Sequence, residues 1–125
     1  MAGIERRCQF EIERNPSGVA DRFVERVSDN PLVVNATGMG KDILGSPLSN
    51  NCRFPFGSTL WDFNYRGERQ FLEDARPVIE QFGLTLVDGW HYFICGWYQV
   101  MTLVFGSNRN ETLLIAFECA AEDRM

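Results

Sequence analysis

The chain has one histidine (His91), one lysine (Lys41), no Cys-x-x-Cys pair and no apolar run long enough for a bilayer. Each scarcity excludes something. With a single imidazole, any Ser-His-Asp or Cys-His device must use His91. The cysteines stand singly at Cys8, Cys52, Cys95 and Cys119, whereas structural zinc sites gather their ligands in closely spaced pairs, so no metal is expected. The longest apolar stretch, Trp90 to Phe105, is broken by His91, Gly96 and Gln99. It falls short of the roughly 20 residues that cross a membrane. No apolar segment follows the charged opening Met1 to Arg7. A reducing, cytoplasmic setting with free thiols and no membrane contact is therefore expected.

Basic charge is also in short supply. Twelve Lys and Arg face seventeen Asp and Glu, for a net charge of −5, which argues against a general nucleic-acid binder. A complete phosphate loop is missing too. Thr37-Gly38-Met39-Gly40-Lys41-Asp42 resembles a fragment of one, but Asn35 stands where the first glycine belongs and Asp42 stands where Ser or Thr would hold a cation. No cofactor is expected.

What the 125 residues do contain is ample apolar material, 45% of the chain, with 13% aromatic. A chain of this length suits one domain, residues 1–125, that folds without a staple. Cys8, Phe10 and Ile12 alternate with polar residues as a half-buried strand does. Asn15-Pro16 marks a helix start, and Val19, Ala20, Phe23, Val24 and Val27 form its apolar stripe up to Asn30-Pro31. Leu32 to Val34 reads as a short strand. The segment from Asn35 to Ser58 is irregular and rich in Gly, Ser, Asn and Pro, and irregular connections this long are commonly functional.

Thr59 to Arg66 alternates again, placing Trp61, Phe63 and Tyr65 on one face, where aromatic rings most often serve as core. Glu68 to Phe82 has helical spacing, with a kink expected at Pro77 and a stop at Gly83. Leu84 to Val87 followed by Asp88-Gly89 carries the signature of a hairpin. Trp90–Cys95, Trp97–Phe105 and Glu111–Ala120 then read as strands, the last two paired across the loop 106–110. The expected fold is α+β: an antiparallel sheet of about five to six strands with two helices packed on one face.

Such a hairpin is apolar on both faces, and monomers seldom expose wide apolar patches. The outer face, with Tyr98, Val100, Val104 and Leu114, is the expected homodimer seam. The long loop, around Met39, Lys41, Asp42, Arg53 and Phe56, is the expected surface for another protein. Together they describe a non-catalytic protein-binding module, a homodimer that occludes a site on another macromolecule as inhibitors and immunity proteins do. The alternative is a small-molecule-binding domain or small enzyme, with Trp90, His91, Phe93 and Trp97 lining an aromatic pocket. His91 and Cys95, four apart on a strand, would lie about 13 Å from each other and form no dyad.

Overall fold

The computed structural model describes residues 19–28, 30–107 and 110–122. The expected first strand, from Arg7 to Glu13, and the start at Asn15-Pro16 lie outside them. Helix α1 spans Val19–Arg26, and Asn30 takes a left-handed conformation (φ 58°) before the chain turns into β1, Leu32–Asn35. Strand β2 is Thr59–Asp62 and β3 is Thr85–Val87. Between them lies one bent helical segment. Helix α2 (Gln70–Ala75) passes through a single 3-10 turn, Arg76–Val78, into α3 (Ile79–Phe82). The turn sits at Pro77, whose missing N–H and bulky ring prevent an unbroken α-helix. Gly83 ends the segment at φ 59°, a conformation glycine adopts without strain.

The sheet overturns the antiparallel expectation. Its three strands run in the order β1-β2-β3 and both pairings are parallel. Parallel neighbours cannot be joined by a tight turn, because the chain must return to the starting edge before the next strand begins. Residues 36–58 make that return between β1 and β2 without a helix, and α2–α3 make it between β2 and β3. The irregular segment is thus a crossover connection.

Register explains how the sheet is covered. Val33, Leu60 and Leu86 align across the three strands. This row packs into a core built with Val24 of α1, Phe71, Leu72 and Ala75 of α2, and Leu48, Cys52 and Phe54 of the crossover. The crossover is pinned to α1 by polar contacts. Ser49 donates its N–H (3.0 Å) and its hydroxyl (2.5 Å) to the Asp21 carboxylate, and the Arg53 N–H reaches Glu25 Oε1 at 3.3 Å.

The C-terminal third is helical, a second correction. Helix α4 runs from Trp90 to Phe105 and α5 from Glu111 to Glu122. Asp88-Gly89 makes no hairpin. The Gly89 N–H donates to the Asn64 carbonyl at 3.1 Å, the Trp90 N–H to Asp88 Oδ1 at 3.1 Å, and the Phe93 N–H to the Gly89 carbonyl at 2.8 Å, closing the first turn of α4. Gly106 ends that helix at φ 63°. Asn110 opens the next, with Oδ1 accepting the Leu113 N–H at 2.7 Å, as a capping residue does. The opposite row of the sheet, Val34, Trp61 and Val87, faces the α4 side. The Trp61 ring meets Tyr92 edge-on at 5.8 Å, Phe63 stacks on Tyr92 at 4.9 Å, and Tyr65 stacks on Phe93 at 3.9 Å. These rings serve as packing between β2, its continuation and α4. Helices therefore lie on both faces of the sheet, α1 to α3 on one and α4 on the other.

Candidate site at the carboxyl edge of the sheet

In a parallel sheet every strand ends at the same edge, so the residues that follow each strand converge. Here β1 ends in Asn35 and β2 ends in Asp62, partners in register, and both are buried with at most 1% exposure. Such burial of polar side chains is costly unless they are hydrogen-bonded. Asn35 Nδ2 donates to Asp62 Oδ1 (3.2 Å) and to the Met39 carbonyl (3.1 Å), while Asn35 Oδ1 accepts from the Thr37 N–H (3.1 Å) and hydroxyl (2.7 Å). Asn64, also buried, adds its own N–H to Asp62 Oδ1 at 2.9 Å and its Nδ2 to the Met39 carbonyl at 2.7 Å.

One atom of this network is left over. Asp62 Oδ2 is buried with no hydrogen-bond partner. Burial pushes the Asp62 carboxyl above its ordinary value, against the pull of the hydrogen bonds from Asn64 and Asn35 and the charge of Arg69.

The rim around this network is charged. Arg69 takes a left-handed conformation (φ 50°), sends its N–H to the Gly40 carbonyl at 3.0 Å, and pairs its guanidinium with Asp88, the residue after β3, at 2.7 Å. Lys41 Nζ lies 5.3 Å and Arg66 Cζ 5.6 Å from the centre of the Tyr65 ring. Asp42 lies 3.2 Å from Lys41 and 3.7 Å from Arg66. Lys41 is 23% and Arg69 33% exposed, so both cations are partly shielded from water. A largely apolar cavity of about 310 Å³ opens beside Thr37, between α1, β1 and Pro47-Leu48.

The structure divides the expected partner surface. Met39, Lys41 and Asp42 stand together on this edge. Arg53 and Phe56 lie toward the far end of the crossover: Arg53 is exposed beside Glu25, and Phe56 is exposed beside Gly83, just ahead of β2. The expected seam is divided as well. Val100 and Val104 are exposed on α4 and Leu114 is half-buried on α5. Tyr98 is turned inward, its hydroxyl donating to the Asn110 carbonyl (2.9 Å) and accepting from the Asn110 N–H (2.8 Å). Of the aromatic pocket, Trp90, Phe93 and Trp97 line one groove with Phe117 of α5, while His91 points away to Glu118 and Cys95. Asn35, Asp62, Asn64 and Arg69 were not singled out from the sequence. Polar residues closing an apolar strand were the available signal, meaningful only once the strands are known to be parallel.

Among the described residues, no helix is long and apolar enough to cross a membrane. No family model matches this chain, and neither the curated proteins nor the solved structures contain a match to it.

Proposed function

We propose that the protein binds a small polar molecule bearing an anionic group at the carboxyl edge of its sheet. The supporting observation is the convergence there of Asn35, Asp62 and Asn64 beneath a rim of partly shielded cations. Small ligands bind where a few polar groups converge on a concave surface, and the loops that follow parallel strands bring such groups to one edge. Lys41 and Arg69 would meet the anion, Tyr65 would offer its hydroxyl, and the buried amides hold the loop 36–42 that shapes the rim.

Thermal shift against separate panels of phosphorylated metabolites, carboxylic acids and neutral sugars tests this proposal, followed by amide chemical-shift mapping of any hit. A saturable anionic ligand should raise the melting temperature and perturb Thr37, Lys41, Tyr65 and Arg69. K41A should weaken it. A lack of response in both anionic panels, or perturbations confined to α4 and α5, would overturn the assignment.

A second observation favours self-association, the homodimer expected from the sequence. Leu103, Val104 and Phe105 are 69%, 71% and 70% exposed, and Val100, Trp97 and Ile115 are also open to solvent. Helix α4 packs its first turns on the sheet and one stripe on α5, which leaves the outer face of its C-terminal half uncovered. A second copy supplies the two further helices that a four-helix bundle requires, in a self-complementary pairing. Sedimentation at micromolar concentration should show a dimer that V104E dissociates. A wild-type monomer would end this second proposal without touching the first.

A further inference from the structure

The strand expectation set His91 and Cys95 about 13 Å apart. On α4 they are one helical turn apart on the same face, and Cys95 Sγ lies 3.5 Å from His91 Nε2. Helix α5 brings a third donor, Glu118 Oε1, to 3.1 Å from His91 Nδ1. That contact satisfies the distance of an ion pair but not the alignment of a hydrogen bond, and Glu118 Oε1 remains a buried oxygen without a hydrogen-bond partner. One ligand atom from each of the three residues can be chosen so that all lie within 4.8 Å of one another.

We propose that His91, Cys95 and Glu118 form a binding site for a zinc-class divalent metal that clasps α5 to α4. The donor set is one imidazole nitrogen, one thiolate and one carboxylate. Calcium and magnesium prefer all-oxygen shells, whereas a mixed N, S and O set suits zinc and its neighbours. With metal–sulfur and metal–nitrogen bonds of about 2.3 and 2.0–2.1 Å, tetrahedral geometry sets sulfur and nitrogen about 3.6 Å apart, close to the 3.5 Å found. A single ring nitrogen ligates, so closing the site means turning the imidazole and drawing together donors that now lie within 4.8 Å of one another. His91 is 76% exposed, so little packing opposes the turn, and its exposure leaves an open path for the ion. Solvent takes the fourth position. Cys95 gives up its thiol proton to water when the metal binds, and the other two donors bind as neutral imidazole and carboxylate.

Titration with Co²⁺ alone tests the site, because thiolate ligation produces a charge-transfer band and tetrahedral geometry produces intense visible bands. The wild type should bind one equivalent with both signatures, and Zn²⁺ should displace it and bleach them. C95S should lose the charge-transfer band. H91A and E118Q should each weaken binding by more than the roughly ten- to hundredfold that an outer-shell partner is worth. C8S, C52S and C119S should leave spectrum and affinity unchanged. Zn²⁺ should raise the melting temperature of the wild type and not of C95S, whose fold is checked by circular dichroism. A band that persists in C95S, a band lost in C8S, C52S or C119S, or no stoichiometric binding would overturn the site.

Discussion

Asn35 and Asp62 face each other at the ends of β1 and β2, joined by a 3.2 Å hydrogen bond from Nδ2 to Oδ1. The same Asn35 amide holds the Met39 carbonyl and the Thr37 backbone, so one side chain ties the sheet to the loop that closes over it. Asn35→Ala would strip partners from several buried groups at once. The expected cost is about 2–3 kcal/mol of folding stability, since a buried acceptor left unpaired costs its desolvation as well as its bond. Urea unfolding measures it. A loss within the few tenths typical of surface sites would show that the loop does not depend on this amide.

The Asp62 carboxyl carries a pH signature. Its folded-state value is raised, first by burial, so the folded chain holds the proton more tightly than the unfolded chain does. The resulting stabilisation is complete below the ordinary carboxylate range and is lost as pH rises through the raised value. Asp62→Asn keeps an oxygen for the Asn64 and Asn35 donors and has no proton to lose. Wild-type stability should therefore fall relative to Asp62→Asn on going from acid toward neutrality. Urea midpoints of both proteins along that range should diverge, and parallel curves would show that Asp62 ionises at no cost in the folded state.

Thiol chemistry separates two of the cysteines. Cys52 is buried in the core, and burial, then the carboxylates of Asp21 and Glu25, push its thiol up to about 12. Cys119 is exposed on α5. Because the thiolate is the reactive species, iodoacetamide at neutral pH should label the Cys119 peptide and leave the Cys52 peptide untouched until denaturant is added. Equal labelling of both peptides in the folded state, read by mass spectrometry, would contradict this placement of Cys52.

Among the described residues up to Val87, local pattern found the elements and missed how they are joined. Leu32 to Val34, Thr59 onward and Leu84 to Val87 all contain strands, and Pro77 and Gly83 mark the turn and end of the helical segment. Strand direction is not a local property. It lay in the length of residues 36–58, which is what a parallel return demands, but the absence of a helix there concealed the crossover. Trp90–Phe105 failed for a different reason. Its residues are apolar all round, so a period of two and a period of 3.6 fit about equally well. Sixteen residues without a proline favour one helix over two strands, and Asp88-Gly89 outweighed that length because its turn chemistry also suits a helix start. The His91–Cys95 pair was hidden by the same choice, since their spacing brings them together only on a helix. Asp62 and Asn64 alternate with Trp61 and Phe63 as the wet face of a strand would. Their burial comes from the loop folded over the edge, which no local pattern encodes.

Two glycines at α4 should respond in opposite ways. Gly96 lies inside the helix, and a Cβ there would meet nothing within 4 Å. Glycine in a helix interior costs about 0.5–1 kcal/mol relative to alanine through the freedom it retains when unfolded, so Gly96→Ala should stabilise the protein by roughly that amount. Gly89 sits one residue before the helix, pressed on the strand extension. A Cβ there would fall 2.1 Å from the Phe63 carbonyl oxygen and 2.9 Å from the Asn64 carbonyl carbon. These are backbone atoms that cannot rotate aside, and the Gly89 N–H bond to Asn64 fixes the approach. Gly89→Ala must push α4 off β2, disturbing the Tyr92 and Phe93 stacking with it, at a cost of about 3 kcal/mol, the upper end for overpacking. Thermal melts of the two variants decide the matter together. A strand through residues 90–105, with Gly96 at a bulge, would make Gly96→Ala destabilising. A gain at Gly96 with a loss at Gly89 is the outcome that a helix docked through Gly89 requires.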